Sequence, residues 1–310
     1  MSAGTEAVRV RAGRTGSHAS CHPGETMMQS GHLPRRTALP IPRIGLAVRE
    51  ENRDVLTAPA VEAVEITFER ADDPLRMESY LNPDDFDYVS VHSLKLSIAS
   101  SDRPRRDYLD ALRSVIDENR ADAMSDHLGF TRHGNDGVEI GHFAPPPCTL
   151  GALDATCRNV EFLQSRFAPL PFFVENIAYT FQFPGTMTEA EFLCSLFRRT
   201  GCGWLLDVTN VYANSVNFGF DARQFIADVM PAASRLQIHL AGGFWSEKAG
   251  RYIDSHSDPI PAEVWNLYEF ALKEGRGKID AVFIERDQNF PDDQGWLDEL
   301  AKARAYAGGA

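Results

Sequence analysis

From Arg43 to its last residues this chain alternates short apolar runs with longer helical patterns, and that alternation restricts the folds open to it more than any other feature. The runs are RIGLAV (43–48), VEAVEITF (61–68), YVSVH (88–92), ADAMSDH (121–127), FFVEN (172–176), WLLDV (204–208), RLQIHL (235–240) and AVFIER (281–286). Helical patterns fall between and after them at 103–120, 150–167, 188–200, 221–230, 261–275 and 293–307. Thr188 with Glu191 forms a capping box for one of these helices, and Asp221 caps another. Repeated strand–helix units imply a parallel sheet with right-handed crossovers, and eight of them predict closure into a TIM (β/α)8 barrel of the α/β class. The short link between the first two strands and the weak helix after the second predict local irregularity there.

In a parallel barrel the C-terminal ends of all strands open onto one face, where such folds carry their chemistry. Here those ends carry His92, His127, Glu175 with Asn176, Asp207 with Asn210, His239 and Glu285, and the segment after the seventh strand adds Asp254 and His256. A single buried histidine is most simply a hydrogen-bonded core residue. Four histidines interleaved with four carboxylates are not, because burying that many charges without a cation costs several kcal/mol each. The set therefore predicts a multinuclear metal site. Its donors are nitrogen and oxygen, which suit iron, zinc or manganese, and no cysteine stands at a strand end as a structural zinc site would require. Asp207 and Asn210 lie three apart, and Asp254 and His256 two apart, so each pair can aim at one centre.

The 310 residues carry a formal charge of −13 and are 43% hydrophobic, enough for one catalytic domain with a sizeable core. The acidic balance argues against a nucleic-acid partner. There is no signal peptide and no apolar run long enough to span a membrane, and the five cysteines form no CxxC pair, which fits a cytoplasmic protein. Residues 1–41 are rich in Ser, Gly, Ala, Thr and Arg without helical or strand periodicity, and are expected to form a disordered N-terminal extension before a barrel domain over 42–310.

The strand-end set resembles the metal-dependent barrels related to xylose isomerase and endonuclease IV, with Asn210 where the endonuclease pattern has a second histidine. A closer resemblance rests on SDHLGF (125–130), VENIAYTF (174–181), the run from Thr188 to Asp221, IHLAGG (238–243), IDSHSDPIPAEVWNLY (253–268) and IERDQNFP (284–291). Jointly and in order, these are similar to the family once called DUF692, now described as multinuclear non-haem iron-dependent oxidative enzymes, over roughly residues 42–308. The resemblance implies a barrel holding two or three iron ions of mixed Fe(II)/Fe(III) state, with O2 as cosubstrate. It also implies a substrate, a ribosomally made precursor peptide modified at cysteine, and a small partner protein that binds the peptide's leader.

Carried over by position, the ligands fall on His92, His127, Glu175, Asp207, Asn210, His239, Asp254, His256 and Glu285. Lys95 is a candidate acid or base near the mouth, and Asp126, Asn176 and Asp287 are candidates for orienting ligands. Tyr179, Phe181, Phe183, Phe244 and Trp245 are candidates for lining a peptide groove. The alternative function is that of a hydrolase or isomerase of the endonuclease IV or xylose isomerase type.

Overall fold

Side chains alternate across a strand, so each apolar run commits its odd or its even positions to one face. In the computed structural model, which describes residues 41–71, 81–132 and 139–309, that alternation builds a closed parallel barrel. Its strands are β1 (Arg43–Ala47), β2 (Ala63–Thr67), β3 (Tyr88–Ser93), β4 (Ala123–His127), β7 (Phe172–Glu175), β8 (Gly203–Asp207), β9 (Leu236–Leu240) and β12 (Ile279–Ile284). Two hairpins supply the remaining strands: β5 (Phe130–Arg132) with β6 (Glu139–Ala144), and β10 (Phe244–Ser246) with β11 (Arg251–Ile253). All eight expected strands are present, and β12 closes the barrel by pairing with β1. The eight-strand parallel barrel is the TIM fold that the alternation predicts.

The helices are α1 (Phe68–Ala71), α2 (Arg106–Glu118), α3 (Leu150–Phe167), α4 (Glu189–Thr200), α5 (Val208–Phe218), α6 (Ala222–Val229), α7 (Ala262–Glu274) and α8 (Asp293–Gly309). The irregularity expected around the second strand takes the form of two 3-10 turns before it and a single four-residue helix, α1, after it. The main apolar core lies between barrel and helices and includes Ile44, Leu46, Val64, Val91, Leu206, Ile238 and Val282 from alternate strand positions. A second, smaller core, formed by Ala63, Tyr88, Ala123, Phe173, Leu205, Ala281 and Phe283, fills the barrel interior.

The interior is layered. Above that apolar floor lies a polar layer in which Gln237 donates to the hydroxyls of Tyr88 at 3.0 Å and Ser90 at 3.2 Å, linking strands on opposite sides of the barrel. One pleat higher, on the same faces, stand His92, His127, Glu175, Asp207 and His239. Residues 1–40, which make up all but the last residue of the expected extension, lie outside the described residues, as do 72–80 and 133–138. Among the described residues no helix is long and apolar enough to cross a membrane.

Candidate metal centre

At the open end of the barrel a cavity of about 460 Å³ is lined by His92, His127, Glu175, Asn210, Asp254, His256 and Glu285 among others. Glu175 anchors it. Its Oε2 lies 3.4 Å from Nε2 of His92 and 3.4 Å from Nε2 of His127. Its Oε1 lies 3.6 Å from Nδ1 of His239, which is itself 3.2 Å from Glu285 Oε2. On the far side His256 places Nε2 at 3.1 Å from Asp254 Oδ1 and 3.9 Å from Asp207 Oδ2, and Nδ1 at 3.3 Å from Glu285 Oε2. Four groups of three side chains therefore bring donor atoms within 4.8 Å of one another: His92, His127 and Glu175; Glu175, Asp207 and His239; Asp207, His256 and Glu285; and Glu65, His239 and Glu285. Glu175, Asp207, His239 and Glu285 each belong to two of these groups, which is the arrangement adjacent ions with shared ligands require.

The donor set fits cations on a second observation. Buried polar atoms are ordinarily hydrogen-bonded, yet Glu175 Oε2, Asp207 Oδ2, Asn210 Oδ1, Asp254 Oδ1, His239 Nδ1 and His256 Nε2 are buried without a hydrogen-bond partner. Glu175, Asp207, His239 and His256 among them belong to the groups whose ligand atoms lie within 4.8 Å of one another. Burial, reinforced by the positive charge on His239, pushes the His92 imidazole down to about 3, and burial pushes His127 down to about 4. Both are thus neutral at physiological pH and able to ligate. Burial also opposes charge on His239, but Glu285, Glu65 and Glu175 together hold it well above the usual histidine range, and Asp254 does most to hold His256 there. Burial, with Asp254 and Glu175 close by, raises the Asp207 carboxyl well above its ordinary value.

Local sequence sets these positions. β8 runs into α5 with no loop, so Asp207 is both the last strand residue and the helix N-cap: its Oδ1 accepts from the Asn210 N–H at 2.7 Å and Oδ2 stays free. Asn210, in the first turn, donates through Nδ2 to the Asn176 carbonyl at 3.1 Å and to Glu175 Oε1 at 3.5 Å, and its Oδ1 is buried without a partner. His256 adopts φ of +50°, a left-handed conformation uncommon outside glycine. Its carbonyl accepts from the Asp287 N–H at 2.7 Å, which ties the Asp254–His256 segment to the end of β12. Two glycines after β9 bring that segment close, since a Cβ on Gly242 would sit 1.9 Å from the Asp258 carbonyl oxygen and one on Gly243 2.3 Å from that of Ile253.

The structure brings all nine expected ligand positions to this cavity or its floor. Lys95, the candidate acid or base, and Asp126 and Asn176, candidates for orienting ligands, do not line the cavity. Lys95 is exposed. Asp126 faces away from the histidines, accepting from Ser93 Oγ at 2.8 Å and the Leu96 N–H at 3.0 Å, so it shapes the loop after β3. Asn176 accepts from the Trp204 indole at 2.9 Å and the Asp207 N–H at 3.2 Å and donates to the Asp207 carbonyl at 2.9 Å, clamping β7 to β8 beneath the ligands. Asp287 pairs with Arg49 Nε at 2.9 Å and Arg70 at 3.2 Å. Of the groove candidates, Tyr179 is buried, while Phe181, Phe183, Phe244 and Trp245 are exposed.

Three participants escaped sequence reading. Arg49, fully enclosed, reaches Glu285 at 3.4 Å and helps hold that carboxylate ionised, alongside His239 and His256. Phe143 stacks on the His127 ring with centroids 3.8 Å apart. Glu65, midway along β2 and 0% exposed, lies 2.9 Å from Nε2 of His239. Its sequence signal was a carboxylate interrupting an apolar strand, which a half-buried strand can equally place in solvent.

Fold and site together define a TIM barrel whose open end carries buried clusters of nitrogen and oxygen donors able to hold metal ions. More narrowly, the chain belongs to the family described as RiPP precursor modification enzyme MbnB/TglH/ChrH, whose model matches residues 43–308. It is 40% identical over 219 residues to a UPF0276 protein of Rhizorhabdus wittichii, covering 71% of this chain and 76% of that one. A UPF0276 protein of Streptomyces avermitilis is 34% identical over 274 residues, covering 86% of this chain, which spans only 55% of that longer relative. Among solved structures, mannonate dehydratase from Streptococcus suis superposes with a TM-score of 0.54 at 10% identity, covering 87% of this chain and 95% of that one. At that identity the likeness is one of fold alone.

Proposed function

We propose that this chain is an iron-dependent, O2-using oxidase that modifies a cysteine of a ribosomally synthesised precursor peptide, presented with a small leader-binding partner protein. The observation that carries the reading is the convergence of histidine and carboxylate side chains, with Asn210, at one end of the barrel, six of whose neighbouring donor atoms are buried without a hydrogen-bond partner. Mixed imidazole and carboxylate ligation suits iron that keeps positions open for substrate and O2. When bound, iron supplies the one-electron chemistry with O2 that no side chain can.

The protein's own residues do the rest. His92 and His127 offer neutral nitrogens, and against the cost of burial His239, with His256 and Arg49, holds Glu285 well below the usual carboxylate range. Phe143 shields one face of His127 from water. Among the described residues no cysteine lines the cavity, which fits a sulfur ligand supplied by the substrate. The exposed rings of Phe181, Phe183, Phe244 and Trp245 suit an extended peptide held across the mouth.

The test combines metal analysis with turnover. Protein produced with ample iron is expected to carry at least two iron equivalents. With a cysteine-bearing peptide and partner protein encoded beside it, it is expected to consume O2 and change the peptide's mass, while the peptide with Cys→Ala stays unmodified. Stoichiometric zinc, with activity restored by zinc alone, would instead establish the hydrolase or isomerase alternative.

A further inference from the structure

Each imidazole has two nitrogens, and only one can face a given ion. The other needs a partner that fixes the tautomer and the ring plane. His92 shows the arrangement plainly: its Nδ1 meets Ser125 Oγ at 2.8 Å, leaving Nε2 toward Glu175. His239 presents the same division in the opposite sense. Its Nδ1 faces the centre, 3.2 Å from Glu285 Oε2 and 3.6 Å from Glu175 Oε1, and its Nε2 faces down into the barrel toward Glu65 Oε1 at 2.9 Å.

We propose that Glu65 is the positioning residue of the centre: its carboxylate holds the Nε2 proton of His239, so that the Nδ1 lone pair points at the ions. The inference rests on the metal-centre reading above, though not on iron or on peptide oxidation. Its support is depth. Glu65 stands in the middle layer, level with Ser90 across the β2–β3 pairing, whereas Glu175, Asp207 and Glu285 reach the centre from strand ends. It approaches His239 from below, on the side away from the cavity, and it is absent from the cavity wall.

Burial adds an energetic argument. Both Glu65 oxygens are buried without a hydrogen-bond partner, and the imidazole is at hydrogen-bond separation although not yet aligned with Oε1. A small rotation of the ring aligns Nε2–H with Oε1. That bond gives Oε1 a partner, removes the choice of tautomer and makes Nδ1 a stronger donor. Glu65 also belongs to one of the groups able to hold a cation, with His239 and Glu285, so a direct ligand role is the competing assignment and the experiment separates the two.

The experiment uses metal-stripped protein titrated anaerobically with ferrous iron by calorimetry, comparing wild type, Glu65→Gln, Glu65→Ala and, as a ligand control, Glu175→Gln. A positioning role predicts that Glu65→Ala binds the same number of ions, one of them about 10–100-fold more weakly. Glu65→Gln, whose amide oxygen can still accept from Nε2–H without the charge, is expected to fall between the two. In zinc-loaded, ¹⁵N-histidine-labelled protein, the His239 Nε2–H resonance is expected in wild type and Glu65→Gln, and lost to exchange in Glu65→Ala. Loss of a whole ion equivalent in Glu65→Gln would make Glu65 a ligand, and wild-type affinity in both variants would make it a bystander; either overturns the proposal. If Glu65→Ala does not fold, the near-isosteric Gln variant still decides by stoichiometry and affinity. Neither peptide nor O2 enters the measurement, so failure of the oxidase reading would leave its outcome unaffected.

Discussion

Outside the metal centre, one residue shows what desolvation does to a carboxyl in this protein. Glu189, first in α4, accepts from the Tyr179 hydroxyl at 2.7 Å, and Tyr179 in turn accepts from Gln182 Nε2 at 2.7 Å. Burial pushes Glu189 up to about 7, and the tyrosine hydrogen bond only partly offsets this. A carboxyl raised in the folded state contributes stability that is complete below its unfolded value near 4.5 and is lost as pH rises through about 7. Glu189→Gln keeps an acceptor for Tyr179 and has no charge to bury. In urea titrations of metal-stripped protein, the variant is therefore expected to gain on wild type by about 1–2 kcal/mol between pH 5 and pH 8. An equal loss of stability in both proteins over that range would show that Glu189 is better solvated than its surroundings imply. The same physics explains which site residues could be read from sequence. His92, His127 and His239 stood out because a histidine closing an apolar run has few other uses. Glu65 and Arg49 did not, because a lone charge within or just after a strand is ordinarily solvated.

At the scale of elements, the alternation of apolar runs with helical patterns was enough to place all eight barrel strands, since a buried parallel strand has a composition that loops lack. The two hairpins and α5 were not legible. β5, β10 and β11 are three residues each, too short for a period, and β6 is mostly exposed and lacks a clean alternation of apolar and polar residues. α5 begins directly at Asp207, so its first turn reads as the end of the strand. That strand-to-helix junction is also where the centre is most exposed to disruption, because Asn176 alone links the Trp204 indole, the Asp207 N–H and the Asp207 carbonyl. Asn176→Ala leaves those groups unpaired in a buried place, at a cost of about 2–4 kcal/mol. Denaturation of the metal-stripped variant measures that cost. Because Asp207 is released, iron binding is expected to fall along with stability, whereas a substitution at exposed Lys95 is expected to change neither. Normal iron content in a destabilised Asn176→Ala would mean that β8 holds Asp207 without the clamp.

For the whole molecule, the candidate metal centre concentrates like charge that cations are expected to offset. Five carboxylates, Glu65, Glu175, Asp207, Asp254 and Glu285, crowd the upper barrel against His239, His256 and Arg49, and their repulsion opposes folding in the absence of cations. Ligands from strands at opposite sides of the sheet meet there, so the site exists only when the barrel is closed and each bound ion stabilises the closed state alone. An ion at a hundredfold excess over its Kd adds about 2.7 kcal/mol, and two such ions about twice that. For a domain of this size each kcal/mol moves the melting temperature by about 2–4 °C. Chelator-stripped protein is therefore expected to melt on the order of 10 °C below the same protein reloaded anaerobically with ferrous iron, with the gap shrinking in Glu175→Gln because that residue serves two of the candidate ion positions. Scanning calorimetry of the stripped and reloaded forms makes the comparison. A gap under about 2 °C would mean that ferrous ions bind the folded barrel weakly or not at all, and that the unpaired donors are satisfied by water rather than metal.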